Sequence, residues 1–406
     1  MNLNRREPMA VPIAENVYWV GAVDWDVRHF HGHSYHTHRG TSYNAYLIVD
    51  ERIALVDTVM QGFEEEMLRH IAEVVDPARI DYVVANHGEP DHSGAIPAVM
   101  ALAPQATLVH SKRAAESLGK YLPDGWKRQT VGTGDTLPLG RKTLTFLEAP
   151  MLHWPDSMFT YIPEDRLLLP NDAFGQHLAS AERFADEVDP AVLWDEARKY
   201  FANILTPFSK LILRKVEEVQ QMGLEIATIA PSHGLIWRES PMQIVEQYVR
   251  WARGEAKARA LVVYETMWGS TAEMAHAVAE GIASAGVEVR VLPVPQTDHT
   301  TVVGELLEAK GVVLGSPTHN RRMLANIAAL VEVLIGLRPV DKIGAAFGSH
   351  GWSGGAVPLL EKGLKEAGIE VVQEGLALAW RPTPQERMRA VAWGRTFGEH
   401  VVEALK

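Results

Sequence analysis

The stretch Asn86-His87-Gly88-Glu89-Pro90-Asp91-His92-Ser93-Gly94 packs two imidazoles and two carboxylates into six residues. It directly follows the apolar run Ile80-Asp81-Tyr82-Val83-Val84-Ala85, which reads as a buried strand. This pairing constrains the fold. The end of a strand is a stiff platform, and a loop with Gly and Pro can aim several side chains at one point. Clustered imidazoles and carboxylates repel or desolvate one another unless a cation offsets their proximity. The alternative is a polar surface loop with no site. One tetrahedral zinc gathers its ligands from separated parts of a chain, so this density of donors suits a pair of metals. An oxygen and nitrogen set without sulfur favours iron or manganese.

At 406 residues the chain is long enough for two domains. It is 47% hydrophobic and 22% charged, as expected of a globular protein. The net charge of -12 argues against nucleic acid, whose phosphates need a basic surface, and against anionic membranes. Cysteine is absent, which removes disulfides, thiolate catalysis and cysteine-ligated iron from this sequence and fits a cytoplasmic protein. Met1–Pro8 carries basic residues with no apolar stretch behind them, so no signal peptide is expected. No run of 18 apolar residues suggests a membrane span.

The first half reads as short strands at 16–20, 43–49, 53–56, 82–85, 107–109, 143–147, 158–161 and 167–169. Helical periodicity appears at 62–75, 95–103, 111–121 and 191–221. Strands interspersed with helices suggest sheets covered by helices. From 260 onward strands and helices alternate regularly. Strands are expected at 260–264, 288–293, 310–314, 342–347 and 369–372, and the last helix at 383–405. That pattern predicts a doubly wound parallel sheet of five strands. The boundary is placed at 255/256.

Three more donors sit just past apolar runs, at the rim positions of a sheet. They are His153 in Leu152-His153-Trp154-Pro155-Asp156-Ser157, Asp172 in Pro170-Asn171-Asp172, and His233 in Pro231-Ser232-His233-Gly234. Together with the first cluster they resemble the metallo-β-lactamase superfamily, whose motif is His-x-His-x-Asp-His. Glu89 replaces its second histidine, the mark of the flavodiiron branch. The chemistry agrees, because carboxylates stabilise ferric iron and bridge irons. The resemblance implies a metallo-β-lactamase-like αββα sandwich over 1–255, with two irons. His87, Glu89 and His153 would hold one iron, and Asp91, His92 and His233 the other, with Asp172 as bridge. The family varies in whether the residue at His92 binds directly. By the same resemblance His31, in Phe30-His31-Gly32, and Tyr200, in Lys199-Tyr200-Phe201, would serve the substrate pocket.

In the second half, strand 260–264 runs into Thr266-Met267-Trp268-Gly269-Ser270-Thr271 and then a helix. Hydroxyls, a glycine and free amides at a helix start make a phosphate cradle. The segment lacks the lysine of a P-loop and the Gly-x-Gly-x-x-Gly spacing. It is similar to the FMN-phosphate loop of flavodoxins. Two further loops follow apolar strands: Ser316-Pro317-Thr318-His319-Asn320 and Ser349-His350-Gly351-Trp352-Ser353-Gly354. Both lie at the carboxyl edge of the sheet, where such folds bind ligands. The resemblance implies a flavodoxin-like FMN domain over 256–406, with Trp352 placed to stack on the isoalloxazine.

The implied activity is reduction of O2 to water, of NO to N2O, or both, at the diiron centre with electrons relayed through FMN. The chain ends at Lys406 with no rubredoxin or NADH-oxidising segment. An external donor is therefore expected: rubredoxin, a flavin reductase or reduced deazaflavin. The family's head-to-tail homodimer, or a dimer of dimers, brings flavin and iron together. The rival readings are a zinc-dependent hydrolase fused to a flavodoxin-like module, and an electron carrier with a degenerate N-terminal domain.

Overall fold

A computed structural model describes residues 9–406, so the signal-peptide expectation at Met1–Pro8 lies outside the described residues. The chain forms two compact units. One comprises the residues up to Phe30, Thr37–Ala197 and Arg214–Glu246; the other comprises His31–His36, Arg198–Leu213 and Gln247–Lys406.

In the first unit a seven-stranded sheet runs in the order Val11–Ala14, Val17–Trp19, Tyr46–Val49, Ile53–Val56, Tyr82–Ala85, Thr107–Ser111, Lys127–Val131. A five-stranded sheet runs Thr136–Pro138, Thr143–Glu148, Met158–Ile162, Leu167–Leu169, Thr228–Ile229. Alternation assigns the faces. Ile48, Val56, Val84 and Val109 point inward and pack with Leu144, Phe146, Ile162 and Leu169 of the second sheet. Leu47, Leu55, Val83 and Leu108 point outward and bury Met67, Ile71, Val99 and Leu118 of three helices. Strands with both faces covered read as continuous apolar runs.

The expected strand 43–49 is broken into Thr41–Tyr43 and Tyr46–Val49. The Asn44 side chain causes the break: it accepts from Trp19 Nε1 at 2.7 Å and donates to the carbonyls of Pro231 and Gly234. The expected helix 191–221 is also interrupted. It widens into a π-turn at Phe201–Leu205 and tightens into a 3-10 turn at Thr206–Phe208. Pro207 has no N–H to continue the ladder.

The second unit holds a fully parallel sheet in the order Glu288–Pro293, Lys257–Tyr264, Ala309–Gly315, Ile343–His350. Its fifth position is shared by two short strands, Glu370–Val371 and Leu376–Ala379, each paired to Ile343–His350. One face packs on the helices Ser270–Ser284 and Pro384–Glu403. Leu261, Val263, Val312 and Leu314 on the other face are also fully buried. Among the described residues no helix is long and apolar enough to cross a membrane.

The two helices meet backbone to backbone. A Cβ at Gly394 would lie 2.2 Å from the Val278 carbonyl, and one at Gly281 2.0 Å from the Val391 carbonyl. Gly394→Ala is expected to destabilise the second unit by ~1–3 kcal/mol through overpacking, read as a lower denaturation midpoint. A midpoint equal to that of the unaltered chain would contradict this close approach.

Candidate metal centre and flavin cradle

All seven metal donors named from the sequence lie in the first unit, and its two sheets deliver them to one rim. Tyr82–Ala85 ends at Asn86, and the Pro90–Ser93 turn follows. Leu167–Leu169 ends three residues before Asp172, and Thr228–Ile229 four before His233. His87, Glu89, His153 and Asp172 form one group of donors, and Asp91, His92 and His233 a second; within each, all donor atoms lie within 4.8 Å of one another.

Asp172 faces both groups. Its Oδ2 is 3.7 Å from His87 Nε2 and 3.4 Å from His153 Nε2. Its Oδ1 is 3.1 Å from His92 Nε2 and 3.4 Å from His233 Nε2. Glu89 Oε2 closes the first group at 3.2 Å from His87 Nε2 and 3.4 Å from His153 Nε2. Asp91 closes the second at 3.4 Å from His92 Nε2 and 3.2 Å from His233 Nε2. Donors held about 2.0–2.2 Å from a cation sit roughly 3.0–3.5 Å apart, which matches these edges.

The electrostatics also ask for cations. Burial alone would depress the imidazoles, but the surrounding carboxylates outweigh it. Hydrogen bonds to Asp156 and Glu89, and the Asp172 charge, push His87 up to about 10. Asp172 and Glu89 raise His153 to about 10, and the charges of Asp91 and Asp172 raise His92 to about 9. Burial opposes ionisation of Asp172, yet the neighbouring histidines hold its carboxyl well below the usual range. Asp91 Oδ1 and His92 Nε2 are buried and make no hydrogen bond among the described residues. Such atoms are costly unless a cation lies between them. The donor set fits two cations of the oxygen- and nitrogen-preferring kind.

The far side of the rings is held as well. Asp156 Oδ1 faces His87 Nδ1 at 3.2 Å, and its Oδ2 accepts from Gly88 N at 2.7 Å. A Cβ at Gly88 would meet Ser117 Oγ at 2.6 Å and Asp156 Oδ2 at 2.8 Å, so a larger residue there would push the Asp156 carboxylate aside. His233 Nδ1 lies 2.7 Å from the Ser42 carbonyl and donates to it, leaving Nε2 for a metal. Phe30, Tyr43 and His177 pack around the His233 ring. Sequence reasoning gave Asp156 no role, although it stands three residues after His153. The roles of Ser42 and Tyr43 come from strand pairing and had no local signal. His31 and Tyr200 fall in segments of the second unit. His31 is exposed in a left-handed turn at φ 48°, and Tyr200 is buried at the end of Pro190–Tyr200.

The second unit has a cavity of about 750 Å³ at the carboxyl edge of its sheet, within the range of cofactor sites. Thr266, Met267, Trp268, Ser270, Thr271, Pro317, Thr318, His319, Asn320, Ser349, His350, Gly351, Trp352 and Ser353 line it. Gly269, Ser316 and Gly354 do not. Gly269 takes the left-handed turn into the helix at φ 89°, and Ser316 Oγ accepts from Leu324 N at 3.0 Å inside the loop. Arg321, the last residue of the loop that the sequence points to, also lines the cavity, as does Trp380, which was missed. Arg321 belongs to a two-residue turn with Asn320, both at positive φ. Trp380 follows the short strand that sequence reasoning overlooked. Trp268 and Trp352 are 92% and 91% exposed, open rings available to stack on a flat ligand. Ser270–Ser284 begins without a side-chain cap, so its first amides can take a phosphate.

A sandwich carrying a dinuclear centre, joined to a phosphate-cradling parallel domain, defines a flavin- and metal-dependent oxidoreductase class. The family model described as ODP family beta lactamase matches residues 41–234, and the flavodoxin model matches 262–394. The chain is 50% identical to a nitric oxide reductase of Moorella thermoacetica, over 97% of this chain and 99% of that one. It is 44% identical to an anaerobic nitric oxide reductase flavorubredoxin of Escherichia coli, over 92% of this chain and 79% of that one. The rubredoxin oxygen:oxidoreductase of Desulfovibrio gigas superposes with a TM-score of 0.95 at 35% identity, over 98% of this chain and 100% of that one. A flavodiiron protein of Giardia intestinalis superposes at 0.94 and 36% identity, over 99% of each. The chain belongs to the flavodiiron protein family.

Two outcomes are expected. Asp156→Asn keeps an acceptor for His87 but sets a donor against Gly88 N–H, so iron affinity should fall about 10–100-fold in chelator competition. Unchanged affinity would remove Asp156 from the design. Metal must displace the protons held by His87, His92 and His153, whose values lie at about 9–10. Uptake by the metal-free protein should therefore release protons, and affinity should rise from pH 6 to pH 9. A flat pH profile would contradict the protonated state of the empty cluster.

Proposed function

We propose that this flavodiiron protein reduces NO to N2O or O2 to water at a diiron centre, with electrons relayed through FMN. The observation that carries the reading is Asp172, whose two oxygens face two separate sets of imidazole and carboxylate donors. The nitric oxide reductases at 50% and 44% identity support NO as substrate, and the oxygen oxidoreductase at 35% supports O2.

When bound, the irons supply paired electrons to a diatomic substrate, and FMN accepts electrons from a donor. The chain's own groups do the rest. His87, Glu89 and His153 would hold one iron and Asp91, His92 and His233 the other, with Asp172 shared between them. Three carboxylates offset much of the charge of two ferrous ions, and the extra carboxylate Glu89 favours iron over zinc. This argues against the zinc-hydrolase reading. Asp156 and the Ser42 carbonyl fix which ring nitrogen His87 and His233 present. Phe30 and Tyr43 keep water from one side of His233. On the family resemblance alone, His31 and Tyr200 are assigned a role toward substrate. The cavity lined by Thr266, Ser270, Thr271 and Trp352 would take FMN, in a domain spanning 256–406, and residues 1–255 form the diiron domain.

The names of the Escherichia coli and Desulfovibrio gigas relatives support rubredoxin as donor, with a flavin reductase or reduced deazaflavin as alternatives. Lack of cysteine supports the cytoplasm. A head-to-tail homodimer, or a dimer of dimers, follows from the family resemblance, and light scattering in solution checks it.

Asp172→Ala should remove iron from both positions and lower NO and O2 consumption more than 100-fold, above the about 10–100-fold of an outer partner. FMN content and reducibility should be unchanged. Wild-type iron and turnover in this variant would show that Asp172 is not the bridge. Glu89→His should lower the iron-to-zinc ratio with flavin content unaltered. An unchanged ratio would show that Glu89 does not select the metal.

A further inference from the structure

Three of the helices that begin at the carboxyl edge of the sheet in the second unit follow its central strands: Ser270–Ser284, Ala325–Leu337 and Ala356–Glu366. Two are closed by side chains from other elements. Ala325–Leu337 has Leu324 at its cap position, which offers no acceptor, and Glu265 supplies one from the end of Lys257–Tyr264. Glu265 Oε2 accepts from Ile327 N at 3.0 Å, and its Oε1 accepts from Asn326 Nδ2 at 2.7 Å. Ala356 N donates to Thr318 Oγ1 at 3.1 Å. The start of Ser270–Ser284 has no side-chain cap. A carboxylate at the second helix start excludes another anion there, which leaves the first for a phosphate.

The same contacts link the three loops in a ring. Glu265, one residue before Thr266, bonds Asn326 and Ile327 in the first turn of the helix into which the 315–324 loop runs, and so anchors the loop's end. Thr318 in that loop bonds the third loop through the Ser349 carbonyl at 2.8 Å and Ala356 N. Thr271 Oγ1 meets Ser349 Oγ at 2.9 Å and closes the ring. Glu265 itself does not line the cavity.

We propose that Glu265 is a positioning residue for FMN: a carboxylate clasp that holds the 315–324 loop against the phosphate loop and closes the rival helix start to the phosphate. The proposal rests on the flavin reading above. Hydrogen bonds to a charged group are among the stronger ones, and removing the acceptor strands an amide at a helix start.

The test uses the full iron-loaded chain stripped of FMN and titrated with FMN, following flavin fluorescence and the visible circular dichroism of the bound flavin. Glu265→Ala should weaken FMN binding about tenfold or more and alter the dichroism, because the isoalloxazine loop is released. Glu265→Gln should restore most of the affinity and the wild-type spectrum, because its amide oxygen still accepts from Ile327 N. Wild-type affinity and spectrum in Glu265→Ala would overturn the clasp, as would a Glu265→Gln variant as weak as Glu265→Ala. If Glu265→Ala does not fold, Asn326→Ala carries the test. It removes one of the two bonds, and about threefold weaker binding is expected; unchanged binding overturns the proposal. If the unaltered chain takes up no FMN, the flavin reading falls and this proposal with it.

Discussion

One buried carboxylate organises the first unit. Asp172 presents one oxygen to His87 and His153 and the other to His92 and His233. An ionised carboxylate at 1% exposure is tolerable only with cations or strong donors on both sides. The protein holds this arrangement by placing it where two sheets end together. Both strand ends are stiff because their residues pack on the inner faces of the sandwich, with Val84 on one sheet and Leu169 on the other in the same core. The metal centre therefore inherits its geometry from the core.

Around that carboxylate the chain repeats one device at His87 and His233, whose rings are held by a partner on the far side. Asp156 holds His87 and the backbone at Gly88 together, which ties the first and second ligand loops. The Ser42 carbonyl holds His233, and Ser232 Oγ donates to Asp172 Oδ1 at 3.2 Å. The second unit uses the same logic for a different ligand. Its loops are tied to one another through Glu265, Thr318 and Thr271, so the cavity walls keep their spacing.

Much of this was legible in the sequence, because rim residues follow apolar runs. His87, Asp172 and His233 all stand just past a strand end. What was not legible came from long-range pairing. The break at Asn44 is set by Trp19, Pro231 and Gly234, which are remote in sequence. The strand Lys127–Val131 is largely polar, so no apolar run marks it, and it is defined by its pairing with Thr107–Ser111. Leu376–Ala379 was hidden because Glu370–Val371 already filled the fifth place in the sheet, and Trp380 was lost with it. Periodicity alone carried the helix 191–221 past Pro207, where the backbone cannot follow.

Asp172 is expected to join two irons into one centre. Mössbauer spectroscopy of the chain loaded with iron-57 tests it most directly. Two irons per chain, in distinct sites and spin-coupled in the ferric state through a shared bridge, are expected from the two donor groups. A single magnetically isolated iron, or two uncoupled irons, would contradict the account.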